Sequence, residues 1–140
     1  MKKAVSRPKA KAKTSSTKKS ASPRLPFEVK LALAAALEKQ AIDVKVLDLG
    51  KGIAFTDYFI ICTGGNIRQV QAIADSVQDA LKQKDVRPAV IEGYQHAEWI
   101  LIDYFDFIVH VFTPATREFY SLERLWGDAV QIEIPATYEG

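Results

Sequence analysis

Cysteine is nearly absent from this chain. Cys62 stands alone, so no internal disulfide can form, and a reducing, cytoplasmic compartment fits that usage. Long apolar runs are missing too. No window approaches the roughly 18 consecutive apolar residues of a membrane span. Only two histidines occur, His96 and His110, and they are not at metal-ligand spacing. With one cysteine beside them, a zinc site is not expected. No internal repeat is visible. Acids are missing from residues 1 to 26, which hold 9 of the 19 basic residues. That segment also lacks the apolar core of a secretory signal and the amphipathic face of a transit peptide.

What is present divides into two zones. Residues 1 to 26 form a tail of Lys, Ala, Ser, Thr and Pro. It has too little apolar surface to offset its chain entropy, so disorder is expected there. Residues 27 to 140 carry 10 basic and 17 acidic residues, a net charge of −7 hidden under the overall +2. Their length suits one domain. The tail reads either as a solubilising extension or as a salt-sensitive tether to RNA, with Lys2, Lys3, Lys9, Lys11, Lys13, Lys18 and Lys19 as its phosphate contacts.

The patterning predicts a mixed α/β domain. Pro26 opens a helix over about Phe27 to Gln40, with Val29, Leu33, Ala36 and Leu37 as its buried stripe. Val44 to Leu49 reads as a strand, and Tyr58 to Cys62 as an inner strand covered on both faces. Gly64-Gly65-Asn66 then starts a long helix with Asn66 as N-cap and Val70, Ile73, Ala74, Val77 and Leu81 facing inward. Arg87 to Glu92 is predicted to be a strand, which makes residues 58 to 92 a parallel strand–helix–strand crossover. Trp99 to Asp103 and Phe107 to Phe112 are close enough to be antiparallel neighbours. Pro114 begins a last helical region, with Leu122, Leu125 and Trp126 as its apolar face and Gly127 as its end. Gln131 to Ile134 is a short terminal strand.

Several residues invite a chemical reading. Asp103 and Asp106 could hold Mg²⁺ for phosphoryl transfer. Catalytic nucleotidyltransferases, however, place two acids one residue apart on a strand and need a Gly-Ser phosphate cradle. Here the spacing is three, across a turn, and Gly64-Gly65 lacks the serine. An aspartate at a hairpin turn more often serves local hydrogen bonding. His110 is expected in the core with a satisfied hydrogen bond, and Cys62 as a small core hydrophobe without an activating base. Gly64-Gly65-Asn66 could cradle a phosphate at a helix start, but the same turn is what an α/β fold needs anyway.

The Trp99–Asp103 strand is the most informative element. Alternation sends Ile100 and Ile102 to one face and Trp99, Leu101 and Asp103 to the other. Large apolar groups left wet forgo roughly 1.5–3 kcal/mol each, which a partner that buries them would recover. The competing reading covers both faces with helices and makes Trp99 core.

A family likeness runs through Thr56-Asp57-Tyr58-Phe59-Ile60-Ile61-Cys62-Thr63-Gly64, Arg68-Gln69-Val70, Glu92-Gly93, Trp99-Ile-Leu-Ile-Asp103, Val109-His110-Val111-Phe112 and Arg117-Glu-Phe-Tyr120-Ser-Leu122-Glu123-Arg124-Leu125-Trp126. Over roughly residues 28 to 128 the chain resembles the ribosomal silencing factor (RsfS, or Iojap) family. The resemblance implies a nucleotidyltransferase-like fold without that activity. It further implies a translation repressor that binds the large ribosomal subunit through its ribosomal protein number fourteen and sterically blocks joining of the small subunit when nutrients are short. No cofactor is implied. A dimer is implied for the factor free of the ribosome. Trp99, Leu101, Asp103, Asp106, Tyr120 and Glu123 carry over as partner contacts. Two departures stand out: Phe105 replaces the family's usual glycine, which is expected to reshape the turn, and Thr63-Gly-Gly-Asn66 replaces its Ser-Gly-x-Ser.

Overall fold

The structure is a computed structural model that describes residues 25–50 and 54–138. The tail lysines named above lie outside the described residues. Helix α1 spans Phe27–Glu38, β1 Ile42–Asp48, β2 Tyr58–Thr63, α2 Ile67–Lys82 and β3 Val90–Glu92. Then follow β4 Trp99–Asp103, β5 Phe107–Phe112, α3 Pro114–Tyr120, α4 Leu122–Leu125 and β6 Val130–Glu133. The strands form one mixed sheet in the order β3-β4-β5-β2-β1-β6. Only β2 and β5 are parallel neighbours, and every other pairing is antiparallel.

Helix α2 shows how local sequence sets an element. The Asn66 side chain accepts from the Gln69 N–H at 2.9 Å, a cap that contributes about 1 kcal/mol. The Gln69 side chain accepts from Gly65 N–H at 2.7 Å and donates to the carbonyls of Lys39 and Gln40. One glutamine therefore closes the start of α2 onto the end of α1. Val70, Ile73, Ala74, Val77 and Leu81, spaced by three and four, are fully buried.

Both helices cover the same face of the sheet. There Val46, Ile60, Cys62, Ile100, Ile102, Val109 and Val111 meet Val29, Leu33, Ala36 and the α2 stripe. The other face carries Leu47, Phe59, Ile61, Ile108 and Phe112, packed against Leu122 of the short α4 and against Leu49, Ala54, Trp126 and Ala129 outside the helices. Trp99 and Leu101 sit there partly buried, as the alternation of β4 requires. The sheet is thus packed under two long helices on one side and under short segments on the other, the more open face, whose central residues are nonetheless buried.

Three expectations are corrected. β3 covers only Val90–Glu92 and lies at the sheet edge beside β4. It runs in the same direction as β2, as the parallel crossover requires, with β5 and β4 between them. The last helical region is two helices, because Ser121 takes φ +46 and breaks the run; Leu125, expected on its apolar face, is exposed. Gly93 is indispensable where it stands: at φ +82, an added Cβ would meet the Trp99 carbonyl oxygen at 2.1 Å. Among the described residues, no helix is long and apolar enough to cross a membrane.

Candidate partner-binding face

The register of the sheet assembles the open face. Trp99 stands opposite Phe112, Leu101 opposite His110, and Asp103 opposite Ile108. On the other side of β5, Phe59 pairs with Ile108, Ile61 with His110 and Thr63 with Phe112. Aromatic rings on this grid form a continuous row. Phe119 contacts Tyr120 at 5.0 Å between centroids, Tyr120 contacts Trp99 at 4.6 Å, and Trp99 contacts His110 at 5.9 Å. His110 contacts Phe59 at 4.6 Å, and Phe59 contacts Phe55 at 6.2 Å and Trp126 at 5.4 Å. The row is buried at its centre and open at its ends: Phe119 is 79% exposed, Tyr120 46% and Phe55 73%.

His110 is buried, as its strand position suggests, and its hydrogen bonding is half satisfied. Trp99 Nε1–H donates to His110 Nδ1 at 3.0 Å, while Nε2 is buried without a partner among the described residues. Burial pulls the imidazole pKa down from 6.5 to about 3, so the ring is neutral. A neutral ring that accepts at Nδ1 carries its proton on Nε2. Trp99 is therefore neither plain core nor free surface. It stacks on Phe112 at 5.1 Å and bonds to the sheet through His110.

A polar cluster holds the small helices in place. Arg117 donates to Glu123 Oε2 through Nε at 3.0 Å and a terminal nitrogen at 2.8 Å, and to Thr63 Oγ1 at 2.8 Å. Lys45 Nζ lies 3.8 Å from the same Glu123 oxygen. Burial pushes the Glu123 carboxyl up, but the Arg117 bonds and the charges of Arg117 and Lys45 outweigh it and leave the group below its ordinary range. Glu123 is thus already engaged within the chain. Neither β periodicity nor helical spacing could have paired Arg117 with Thr63, 54 residues away.

At the hairpin tip the two aspartates take different roles. Asp103 Oδ1 accepts from Phe105 N–H at 2.8 Å. Asp106 is exposed, and its backbone carbonyl accepts from Asp57 N–H at 3.0 Å. Phe105 adopts φ +73, a left-handed backbone that glycine takes more readily than phenylalanine. Among the described residues, no group of three or more His, Cys, Asp or Glu could hold a metal ion. At the start of α2, an open groove of about 640 Å³ is lined by Asn66, Ile67, Arg68, Glu98 and Thr113. The nearby N–H groups of Gly65 and Gln69 are already bonded to side chains, which favours the plain-turn reading of Gly64-Gly65. Cys62 is fully buried; burial lifts its thiol pKa to about 12 against the lowering effect of Arg117.

Comparison with known proteins agrees with this architecture. Residues 8–139 match the family described as "Ribosomal silencing factor during starvation". The chain belongs to this silencing-factor family. It is similar to the ribosomal silencing factor RsfS of Bacillus subtilis, with 43% identity over 102 residues that cover 72% of this chain and 86% of that one. A crystal structure of a Chromobacterium violaceum protein superposes with a TM-score of 0.69 at 36% identity and covers 80% of this chain and 94% of that one. A mouse relative named "Mitochondrial assembly of ribosomal large subunit protein 1" is 30% identical over 103 residues, 71% of this chain and 45% of that one. The match to the silencing-factor family extends into the basic segment as far back as residue 8, further than the motifs alone reach.

Proposed function

We propose that this protein is a non-enzymatic repressor of translation that acts in the cytoplasm. It docks the open sheet face on the large ribosomal subunit, at ribosomal protein number fourteen, and so blocks joining of the small subunit under nutrient limitation. The single observation that carries this reading is the aromatic row on the sheet face away from α1 and α2, exposed at its ends, in a chain of the silencing-factor family. Trp99, Leu101 and Tyr120 supply the apolar contact. Asp103 and Asp106 supply charge at the hairpin end. The name of the mouse relative also points to the large subunit.

Electrostatics favour the same partner. The domain's net −7 over residues 27 to 140 suits a basic ribosomal protein and should raise the association rate more than the final affinity. Glu123, engaged by Arg117, contributes by fixing α3 and α4, and hence Tyr120, against the sheet. The lysines of the tail act as a salt-sensitive tether to ribosomal RNA. Chemistry at Asp103 and Asp106 is the weaker alternative, since Asp103 is used to close its own turn.

Sedimentation of the full chain with purified subunits tests the proposal. The protein should travel with the large subunit and not with the small one, and Leu101→Asp should lower that association at least tenfold without unfolding the domain. A protein that remains at the top of the gradient would remove the reading.

A further inference from the structure

We propose that Phe105 is a second anchor of the docking face: a ring held outward by a strained turn, suited to an apolar depression rimmed by Lys or Arg on the partner. The inference rests on the docking reading above. Phe105 stands at φ +73, a region where a β-carbon is crowded and glycine is the ordinary occupant. It is the centre of a three-residue turn closed by Asp106 N–H donating to the Tyr104 carbonyl at 2.9 Å. With a positive central φ, such a turn is rare and strained.

The surroundings over-determine this backbone. Phe105 N–H donates to Asp103 Oδ1 at 2.8 Å, and its carbonyl accepts from Thr56 Oγ1 at 2.6 Å. Tyr104 N–H donates to the Phe107 carbonyl at 2.9 Å, and Asp57 N–H to the Asp106 carbonyl at 3.0 Å. Thr56 is itself buried. The side chain whose β-carbon is crowded gains little within the chain in return, because Phe105 is 73% exposed. Tyr104, its neighbour, shows the contrast: it turns into the helix-covered core and stacks on Phe107 at 4.9 Å. Glycine would close the turn without strain. A crowded backbone kept for the sake of an exposed ring points to contact outside the chain.

Position and charge define the contact. Asp103 and Asp106 stand on either side of Phe105 in the turn, so its complement is an apolar depression with a cationic rim. The tip is also tied to the segment that carries one end of the aromatic row. Thr56, which holds the Phe105 carbonyl, follows Phe55, and the Phe55 ring lies 6.2 Å from Phe59 in that row.

The test is a binding titration of the full chain against purified large subunits, with a thermal melt of each variant. Phe105→Gly keeps the turn and deletes the ring, Phe105→Asn tolerates positive φ without an aromatic, and Phe105→Tyr keeps the ring. The Gly and Asn variants should bind about tenfold more weakly, and the Tyr variant within about twofold of wild type. Phe105→Gly should melt about 3 °C higher than wild type. Wild-type affinity in Phe105→Gly, a tenfold loss in Phe105→Tyr, or a lower melting temperature in Phe105→Gly would each overturn the anchor while leaving the docking reading intact. If wild-type protein does not bind large subunits, the docking reading fails and the anchor with it.

Discussion

The Trp99 indole N–H donates to His110 Nδ1 across 3.0 Å, and this bond ties the exposed row to the buried floor of the sheet. It fixes the tautomer of His110, with the proton on Nε2. Losing the bond would leave a buried acceptor unpaired, at about 1–3 kcal/mol.

Trp99→Phe keeps a ring but removes the donor, which leaves the buried Nδ1 of His110 unpaired. Unfolding in urea should show a loss of about 1–2 kcal/mol. Trp99→Ala adds the loss of packing on Phe112 and Tyr120 and should cost about 3 kcal/mol. Binding defects of Trp99 variants therefore have to be read where the protein is still folded. Leu101 and Tyr120 report on the face more cleanly.

His110 also sets an acid sensitivity. Its folded pKa is depressed from 6.5 to about 3, so the unfolded chain binds a proton that the folded one refuses. Stability is full above pH 6.5 and falls as the pH drops toward 3. Between pH 6.5 and 5.5, above the 4.5 at which an unfolded glutamate is half protonated, the loss should be about 1 kcal/mol. Urea melts at the two pH values check this, and His110→Phe should abolish most of the difference.

Arg117→Ala removes three hydrogen bonds and leaves the partly buried Glu123 with Lys45 and its own backbone N–H. The expected loss is about 1–3 kcal/mol. A double-mutant cycle with Glu123→Gln should give a coupling of about 1 kcal/mol or more, which a solvent-exposed pair would not.

Gly93→Ala should be among the most damaging single changes, at about 2–4 kcal/mol. The new Cβ would clash with the Trp99 carbonyl in a positive-φ position, so the start of β4 must shift. A thermal melt checks it, and far-UV circular dichroism shows whether the sheet survives.

The basic tail predicts a salt dependence. Removal of residues 1–24, which spares the buried Leu25, should weaken large-subunit binding at low salt. The slope of log K against log salt should become shallower by roughly 0.7–0.9 for each lost phosphate contact.

Local patterning made much of this molecule legible. The Asn66 cap, the inner stripe of α2, the limits of β4 and β5, and the split of Ile100 and Ile102 from Trp99, Leu101 and Asp103 all follow from periods of 3.6 and 2. What escaped is non-local. The place of β3 depends on which strands slot between it and β2, a choice its own three residues do not encode. The Arg117–Glu123–Lys45 cluster and the Thr56–Phe105 bond join segments far apart in sequence. Ser121 and Phe105 take left-handed backbone against their residue preferences, so sequence could not announce either. For the candidate face, strand parity gave its direction, while the row that extends it needed the packing of Phe55, Phe59 and Tyr120.

Subunit joining is the most direct measure of the central claim. Purified small and large subunits are mixed under joining conditions, with and without a stoichiometric amount of the full chain, and the products are separated on a gradient. The account predicts that the protein keeps the subunits apart while it sediments with the large one, and that Leu101→Asp restores joining. Complete joining in the presence of wild-type protein bound to the large subunit would contradict it.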